Sequence, residues 1–388
     1  MSSVTISEGT SITRPAPGKT TDGETKVSNY DRADDVEKIK ERMHRYPASL
    51  GDLHKSYTAP RIMAIGPYHY HNRNLPQRLM HAEKMKEQAA EHCVMQSRSR
   101  SREVLFEAVV SAADDVHARG LYDKDGMAGI ERHDFHNMTF HDACFLVQYM
   151  LMQIKRSRGQ KLDEWILHSS FLGPNSADIL HDVTLLENQL PWKVVEAVMA
   201  FLPDVSPRDF VASLRGWLQD QKIPKKNQKF PFVWDERYKP PHLLGLLRCY
   251  TVGISRDHEE PIRKPMKRSV SASAMELGRI GIWLTPKKET TELIHMGLEK
   301  KWIVFNKLCL TPLSLNRNRA SYLVNMAALE MCTVPSFSAS PDEDSAVCSY
   351  LLLLGEIFVF WSLLKTFFTK RPTPKRFLKM DHFRRLRT

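Results

Sequence analysis

The sequence lacks the features that mark a secreted, disulfide-linked or polytopic membrane protein. Residues 1–30 contain no apolar stretch of the kind that a secretory signal requires. The six cysteines are scattered and form no Cys-x-x-Cys pair, so we expect reduced thiols in a cytosolic body rather than a disulfide framework or a zinc ribbon. Only one long apolar run occurs, at residues 347–364, which excludes a polytopic membrane protein.

Common catalytic templates are also missing. The chain contains no GxSxG, Walker, GxGxxG or HExxH motif. Residues 123–126 resemble the start of a calcium loop, but Arg132 occupies the position where an EF-hand needs a carboxylate, so we predict a polar turn there. We therefore assign no catalytic residue, no cofactor-binding residue and no cofactor.

Sixteen histidines raise the question of a metal site. On a helix, His133 and His136 would share a face, but His141 would be rotated away from His136. His69 and His71 would point the same way only on a strand. No group has the ligand number and spacing of a known metal class, so we predict surface or hydrogen-bonded histidines and no metal ligands. The grouped residues are His69, His71, His133, His136 and His141.

With 42% hydrophobic and 26% charged residues, the chain has the composition of a soluble globular protein. Pro191 should divide one predicted helix, over residues 178–200, into two. Residues 302–315 are the best strand candidate. The alternating serines and arginines of residues 96–102 predict a solvated break between helices. The fold class that we predict is mainly α, an irregular helical body with a minor β component. Apolar spacing predicts helices over residues 79–94, 104–116, 135–154, 178–200, 210–218, 243–250 and 322–331.

The sequence divides into four segments. Residues 1–35 are rich in serine and threonine and are predicted to be disordered, and residues 36–335 form the helical body. Residues 345–364 form an apolar helix that is a candidate membrane segment. Residues 365–388 form a basic tail with nine basic residues and one acid, which accounts for +8 of the formal charge of +11. The body is therefore close to neutral.

The apolar run at residues 347–364 has nearly the length of a membrane span. Its eighteen residues would extend about 27 Å as a helix, against about 30 Å for the hydrocarbon core. Eleven Leu, Ile, Val or Phe residues favour insertion and Glu356 opposes it, for a net of about −1 to −2 kcal/mol. Three placements stay open: a span, a helix at the membrane surface with the tail on anionic lipid, and a buried core helix.

The basic tail also raises nucleic-acid binding, because Phe377 and Phe383 interleave with its lysines and arginines. The near-neutral body and the lack of a recognisable nucleic-acid module argue against it. The partners that we expect are an unidentified protein and anionic membrane lipid bound through the tail, and not nucleic acid.

Six stretches of the sequence carry distinctive motifs: residues 60–69, 79–86, 142–146, 182–191, 242–248 and 273–277. The longest distinctive one reads Leu-Leu-Glu-Asn-Gln-Leu-Pro and ends at Pro191. Together they resemble the plant family catalogued as domain of unknown function 247. From Gly355 onward the family pattern has no counterpart, so we expect a C-terminally divergent or truncated member.

The resemblance implies a mostly helical plant protein with no established enzymatic activity. Family members commonly end in a hydrophobic anchor and are regarded as membrane-associated, and some grass members are implicated in pollen–stigma self-incompatibility. Our leading hypothesis is a non-catalytic interaction or signalling protein, associated with a membrane and with its body in the cytoplasm. The alternatives are an enzyme with a His/Glu site, for which His69, His133 and Glu187 are the candidates, and a basic-tailed nucleic-acid binder.

The motifs also permit a structural interpretation from their residues alone. Glu187 and Asn188 precede Pro191 at a junction between helices, where a carboxylate and an amide can accept free backbone N–H groups. Gly66 and Pro67 should form a sharp turn, with the following tyrosine packed back over it. We therefore expect these motifs to maintain the fold rather than to carry out catalysis.

Overall fold

The computed structural model describes most of the predicted helical body. The predicted disordered segment, apolar helix and basic tail lie outside the described residues. Within the part of the chain that is described, no helix has the length and apolar character needed to cross a membrane. The described residues are 38–47, 55–72, 77–167, 169–219, 232–252, 282–286, 296–301, 305–310 and 316–333.

The fold is mainly helical, as predicted. Two short 3-10 helices, Tyr70–Asn72 and Ala118–Leu121, lie in the connections. The α-helices are α1 (Lys55–Thr58), α2 (Gln77–Gln96), α3 (Arg102–Asp115), α4 (Arg132–Ser157), α5 (Glu164–Leu167), α6 (Ser176–Val183), α7 (Trp192–Met199), α8 (Pro207–Gln219), α9 (Leu243–Val252) and α10 (Arg317–Thr333).

The long helix α4 forms the centre of the body, because apolar side chains cover more than one of its faces. Every residue from 142 to 152 is buried. Helices α2, α3, α7 and α8 pack around it. A helix enclosed on all sides in this way owes its stability to tertiary packing rather than to its own helix propensity.

Local side-chain chemistry sets two of the helix boundaries. Ser101 caps α3, with its hydroxyl oxygen accepting the Val104 N–H at 3.2 Å. Pro191 separates α6 from α7 as predicted: it lies at the N-cap of α7, and the Trp192 N–H donates to the Pro241 carbonyl at 2.8 Å. The residues between α6 and α7 are thus free to form a loop, and that loop carries the distinctive motif.

A small three-stranded sheet lies between α9 and α10 in the chain. It contains β1 (Ile282–Pro286), β2 (Met296–Lys301) and β3 (Phe305–Leu310). The strand order is β1-β3-β2, with β3 parallel to β1 and antiparallel to β2. The central strand lies within the segment 302–315 that the sequence predicts as a strand.

Gly66 offers a sharp test of how tightly the interior is packed. Its φ of +71° lies in the left-handed region, and an added Cβ would lie 2.7 Å from the Gln189 carbonyl oxygen. We expect Gly66→Ala to lower the free energy of unfolding by about 3 kcal/mol, measured by urea denaturation followed by circular dichroism. Gly159 is the matched control, because its φ is +66° and an added Cβ would meet nothing within 4 Å.

Gly159→Ala should therefore carry only the backbone strain, about 1 kcal/mol. Equal decreases in the free energy of unfolding for the two substitutions would show that the contact with Gln189 does not limit packing.

Candidate functional site: a buried polar junction

Residues 61–66 run through the interior of the helical body, and we call them the central segment. Four of its apolar side chains, Ile62 to Ile65, are at most 3% exposed. The segment belongs to no strand, so its backbone groups need other partners. An unpaired buried N–H or C=O group costs about 1–3 kcal/mol. Four side chains of the sequence motifs supply these partners, and we call them the polar junction: Lys86, Asp142, Asp182 and Asn188.

Asp182, just before the end of α6, accepts three consecutive N–H groups of the central segment. Its Oδ1 accepts the Arg61 N–H at 2.9 Å, and its Oδ2 accepts the Ile62 and Met63 N–H groups, both at 2.8 Å. The side chain is fully buried. Burial raises the pKa of this carboxyl group to about 7, and the three N–H donors oppose that rise because they favour the ionised form.

Lys86 of α2 and Asp142 of α4 form a fully buried ion pair. Lys86 Nζ lies 2.7 Å from Asp142 Oδ1, and both side chains are 0% exposed. Asp142 Oδ2 also accepts the Gly66 N–H at 2.8 Å, while Lys86 Nζ donates to the Ala64 carbonyl at 2.5 Å and to Glu83 Oε1 at 2.6 Å. These extra hydrogen bonds offset the free-energy cost of desolvating the two charges. Loss of either partner of the pair would leave the other charge buried and uncompensated.

The motif residues Glu187 and Asn188 do accept free backbone N–H groups, as predicted, but from remote segments rather than from the adjoining helices. Asn188 Oδ1 accepts the Ile65 N–H at 2.6 Å, and its Nδ2 donates to the Met63 carbonyl at 2.9 Å. Glu187 Oε1 accepts the Tyr46 N–H at 2.9 Å, and burial raises the pKa of the Glu187 carboxyl group. The loop between α6 and α7 therefore holds two other parts of the chain.

Gln189 secures the loop itself. Its Nε2 donates to the carbonyl groups of Val183 and Leu185 at 3.0 and 2.7 Å, and its Oε1 accepts the Leu244 N–H at the start of α9 at 2.9 Å. The Tyr122 hydroxyl donates to the Gln189 carbonyl at 2.9 Å. Through its side-chain amide and its backbone carbonyl, Gln189 thus joins α6, α9 and the segment before α4.

Helix α10 reaches the same region through Asn325. Its Oδ1 accepts the Leu186 N–H at 2.7 Å and a hydrogen bond from the Tyr46 hydroxyl. Its Nδ2 donates to the Tyr57 carbonyl at 3.0 Å. The last described helix is therefore attached to the loop between α6 and α7 and to the N-terminal part of the body.

Lys86, Asp142 and Asp182 lie in the family motifs, but no local sequence pattern predicts their roles. One signal could have revealed Asp142: it is a carboxylate in a helix, and Met138 and Leu146, one turn before and after it, are apolar. A charge in that position needs a buried partner. The identity of the partner depends on the packing of α2 against α4, which no local pattern encodes.

The predicted polar turn at residues 123–126 is present. Asp123 Oδ1 accepts the Gly126 N–H at 2.5 Å, and the same carboxylate pairs with Arg45. The ring of Tyr68, which follows the turn at Gly66 and Pro67, packs edge-on against Tyr122 with centroids 5.4 Å apart. Tyr68 therefore packs on a neighbouring segment next to the junction.

The grouped histidines lie in separate environments. Within the described ranges, no group of three or more His, Cys, Asp or Glu side chains is placed to hold a metal ion. Two histidines outside these groups, His181 and His242, are buried. Among the grouped histidines, His69 is half-buried. The hydrogen-bond partners of the other four are the Ala128 carbonyl for His71, Asn137 for His133, Asp114 for His136 and Arg102 for His141.

In the part of the chain that the structure describes, the candidate enzyme residues have different surroundings. His133 is exposed on α4, whereas Glu187 is occupied by the Tyr46 N–H. A cavity of about 390 Å³ lies between the end of α3 and the start of α4, and neither of these residues nor His69 lines it. Its lining consists of Ala113, Asp114, His117, Ala118, Arg119, Gly120, Arg132 and Phe135.

Replacement of Asp182 tests the polar junction. Asp182→Asn exchanges one acceptor oxygen for an NH2 group that would face an N–H donor, so we expect the free energy of unfolding to fall by about 2–4 kcal/mol in urea denaturation. Asp115→Asn is the control, because the pair of Asp115 with Lys193 is exposed and should contribute little. Similar losses for both variants would contradict the role given to Asp182.

Buried His242 makes stability depend on pH. Its Nδ1 accepts the Gly245 N–H at 3.1 Å, and burial, with a smaller contribution from the charge of His44, lowers its pKa to about 3. Between about pH 3 and 6.5 the unfolded chain thus binds a proton that the folded chain does not, so this contribution to stability is lost as the pH falls. Buried His181, with a pKa lowered to about 4, acts in the same direction, whereas the raised pKa of Asp182 acts in the opposite one.

We expect His242→Asn, whose amide oxygen can accept the Gly245 N–H, to reduce the slope of unfolding free energy against pH by about 1.4 kcal/mol per unit below about pH 6.5. Urea denaturation at several pH values measures this slope, with His133→Asn on the exposed face of α4 as the control. An unchanged slope in His242→Asn would show that His242 is protonated equally in the folded and unfolded states.

Comparison with known proteins identifies the family. The model of the DUF247 family, described as plant protein of unknown function, matches residues 43–359. An Arabidopsis thaliana relative, named as a UPF0481 protein, is 26% identical over 340 aligned residues, and the alignment covers 80% of this chain and 64% of the relative. None of the solved structures matches the chain significantly. The family match includes the segments that form the polar junction, and the chain belongs to the DUF247 family of plant proteins of unknown function.

Proposed function

We propose that this protein is a non-catalytic interaction protein that its C-terminal segments hold at a membrane, with the helical body in the cytoplasm. The proposal that the protein is non-catalytic rests on the burial and hydrogen bonding of the motif side chains. Lys86, Asp142 and Asp182 are 0% exposed and are bonded to backbone groups or to each other.

A catalytic group must reach the substrate with a free lone pair or a mobile proton. In the polar junction the carboxylate oxygens already have partners inside the fold. Both Asp182 oxygens accept backbone N–H groups, and both Asp142 oxygens are bonded to Gly66 or Lys86. The side chains that make the family motifs recognisable are therefore used to stabilise the fold. A rigid helical body of this kind is suited to presenting a surface to another protein.

Membrane association rests on the sequence of residues 347–388, which lie outside the described residues. The apolar run favours insertion by about 1–2 kcal/mol, and each basic residue near an anionic surface adds about 1 kcal/mol. Both contributions act together when the apolar run lies at the membrane surface, because the tail then stays on the same side as the cytoplasmic body. The resemblance to membrane-associated family members supports this placement and extends the proposal to signalling, of which self-incompatibility in some grass members is one case.

Vesicle flotation tests the membrane part of the proposal. We expect the full chain to float with vesicles of phosphatidylcholine and phosphatidylserine, and a chain without residues 347–388 to stay at the bottom of the gradient. Replacing the nine basic tail residues by glutamine should reduce binding at least about tenfold. The matched control replaces three exposed arginines of the body, Arg98, Arg100 and Arg102, by glutamine and should bind as the unmodified chain does.

A full chain that stays at the bottom of the gradient would overturn the membrane proposal. Equal flotation with and without phosphatidylserine, unaffected by the tail substitutions, would assign binding to the apolar run alone.

A further inference from the structure

The turn between α2 and α3 contains three serines that the sequence cannot tell apart. Residues 97–102 read Ser-Arg-Ser-Arg-Ser-Arg, so Ser97, Ser99 and Ser101 each have arginine on at least one side. Arginine next to serine is a charge pattern of the kind by which protein kinases select substrates. The structure distinguishes the three hydroxyl groups.

Two of the serines are used by the fold. Ser97 is 2% exposed; its hydroxyl donates to the Val94 carbonyl at 2.8 Å and accepts the Arg100 N–H at 3.1 Å. Ser101 caps α3, and its hydroxyl donates to Glu103 Oε2 at 2.8 Å. Modification of either hydroxyl would break bonds that end one helix and begin the next.

Ser99 is exposed, as are Arg98 and Arg100 on either side of it. The one polar contact of its Oγ within the described residues is with Ser97 Oγ at 3.3 Å. Arg100 adopts a left-handed backbone conformation with φ of +50°, which turns the chain at this point. Residues 97–101 belong to neither helix, so a small local opening presents Ser99 to an enzyme.

We propose that Ser99 is a phosphorylation site for an arginine-directed serine kinase that uses MgATP. The hydroxyl oxygen of Ser99 forms a bond to the γ-phosphorus, the bond from that phosphorus to the bridging oxygen of ADP breaks, and the hydroxyl proton passes to the base of the kinase. The product carries a charge of about −1.5 to −2 among the arginines at positions 98, 100 and 102. Guanidinium groups bind phosphate oxygens in charge-assisted hydrogen bonds, and Arg98 and Arg100, both exposed, adjoin Ser99 in the chain.

The test uses the full chain produced without phosphorylation. It is incubated with MgATP and a plant arginine–serine-directed kinase, and the phosphate at each serine is followed over time by mass spectrometry. We expect Ser99 to be modified at least about tenfold faster than Ser97 or Ser101, because the other two must first lose hydrogen bonds. Ser99→Ala should remove the fast phase, whereas Ser97→Ala and Ser101→Ala, the matched controls, should retain it.

A peptide of residues 93–105 shows that the kinase is active and reports its preference without the fold. Preferential phosphate on Ser97 or Ser101 of the full chain would overturn the proposal. It would also be overturned if the kinase modifies the peptide and leaves Ser99 of the folded chain unmodified.

Discussion

Burial of a peptide segment that has no neighbouring strand is the constraint on which this fold depends. In a sheet, adjacent strands pair the backbone groups of a buried segment; in a helix, the segment pairs its own. Residues 61–66 have neither arrangement, so side chains from α2, α4, α6 and the loop after α6 take over that task. The positions of these helices are therefore fixed relative to a single stretch of backbone, which explains why motifs distant in sequence meet at one place.

The helices could be predicted from the sequence because apolar spacing is a local signal. The long central helix, the division at Pro191 and the location of β3 all follow from such signals. The polar junction could not be predicted in this way. Asp142 and Lys86 are charged residues on two helices, and nothing near either of them in sequence identifies the other as its partner. Only the packing of α2 against α4 shows that they form a pair rather than two solvated charges.

The predicted roles of the loop residues show the same division between local and non-local information. The hydrogen-bonding type of Glu187 and Asn188 follows from their side chains, since a carboxylate and an amide near a helix end accept N–H groups. Their donors are the backbone N–H groups of Tyr46 and Ile65, more than 100 residues away in the chain. No local sequence pattern identifies a donor at that distance. The number of histidines was a poor guide, because the grouped histidines have separate hydrogen-bond partners, whereas the isolated His181 and His242 are the buried ones among those compared.

The contact between Asn325 and Tyr46 has a consequence for biosynthesis. These residues are 279 positions apart, and Asn325 also binds the loop that holds the central segment. On the ribosome, the N-terminal half of the body must wait for α10 to emerge before this set of hydrogen bonds can close. Contacts between residues this far apart form late in folding, and the apolar surface that α10 covers stays exposed until that helix is available.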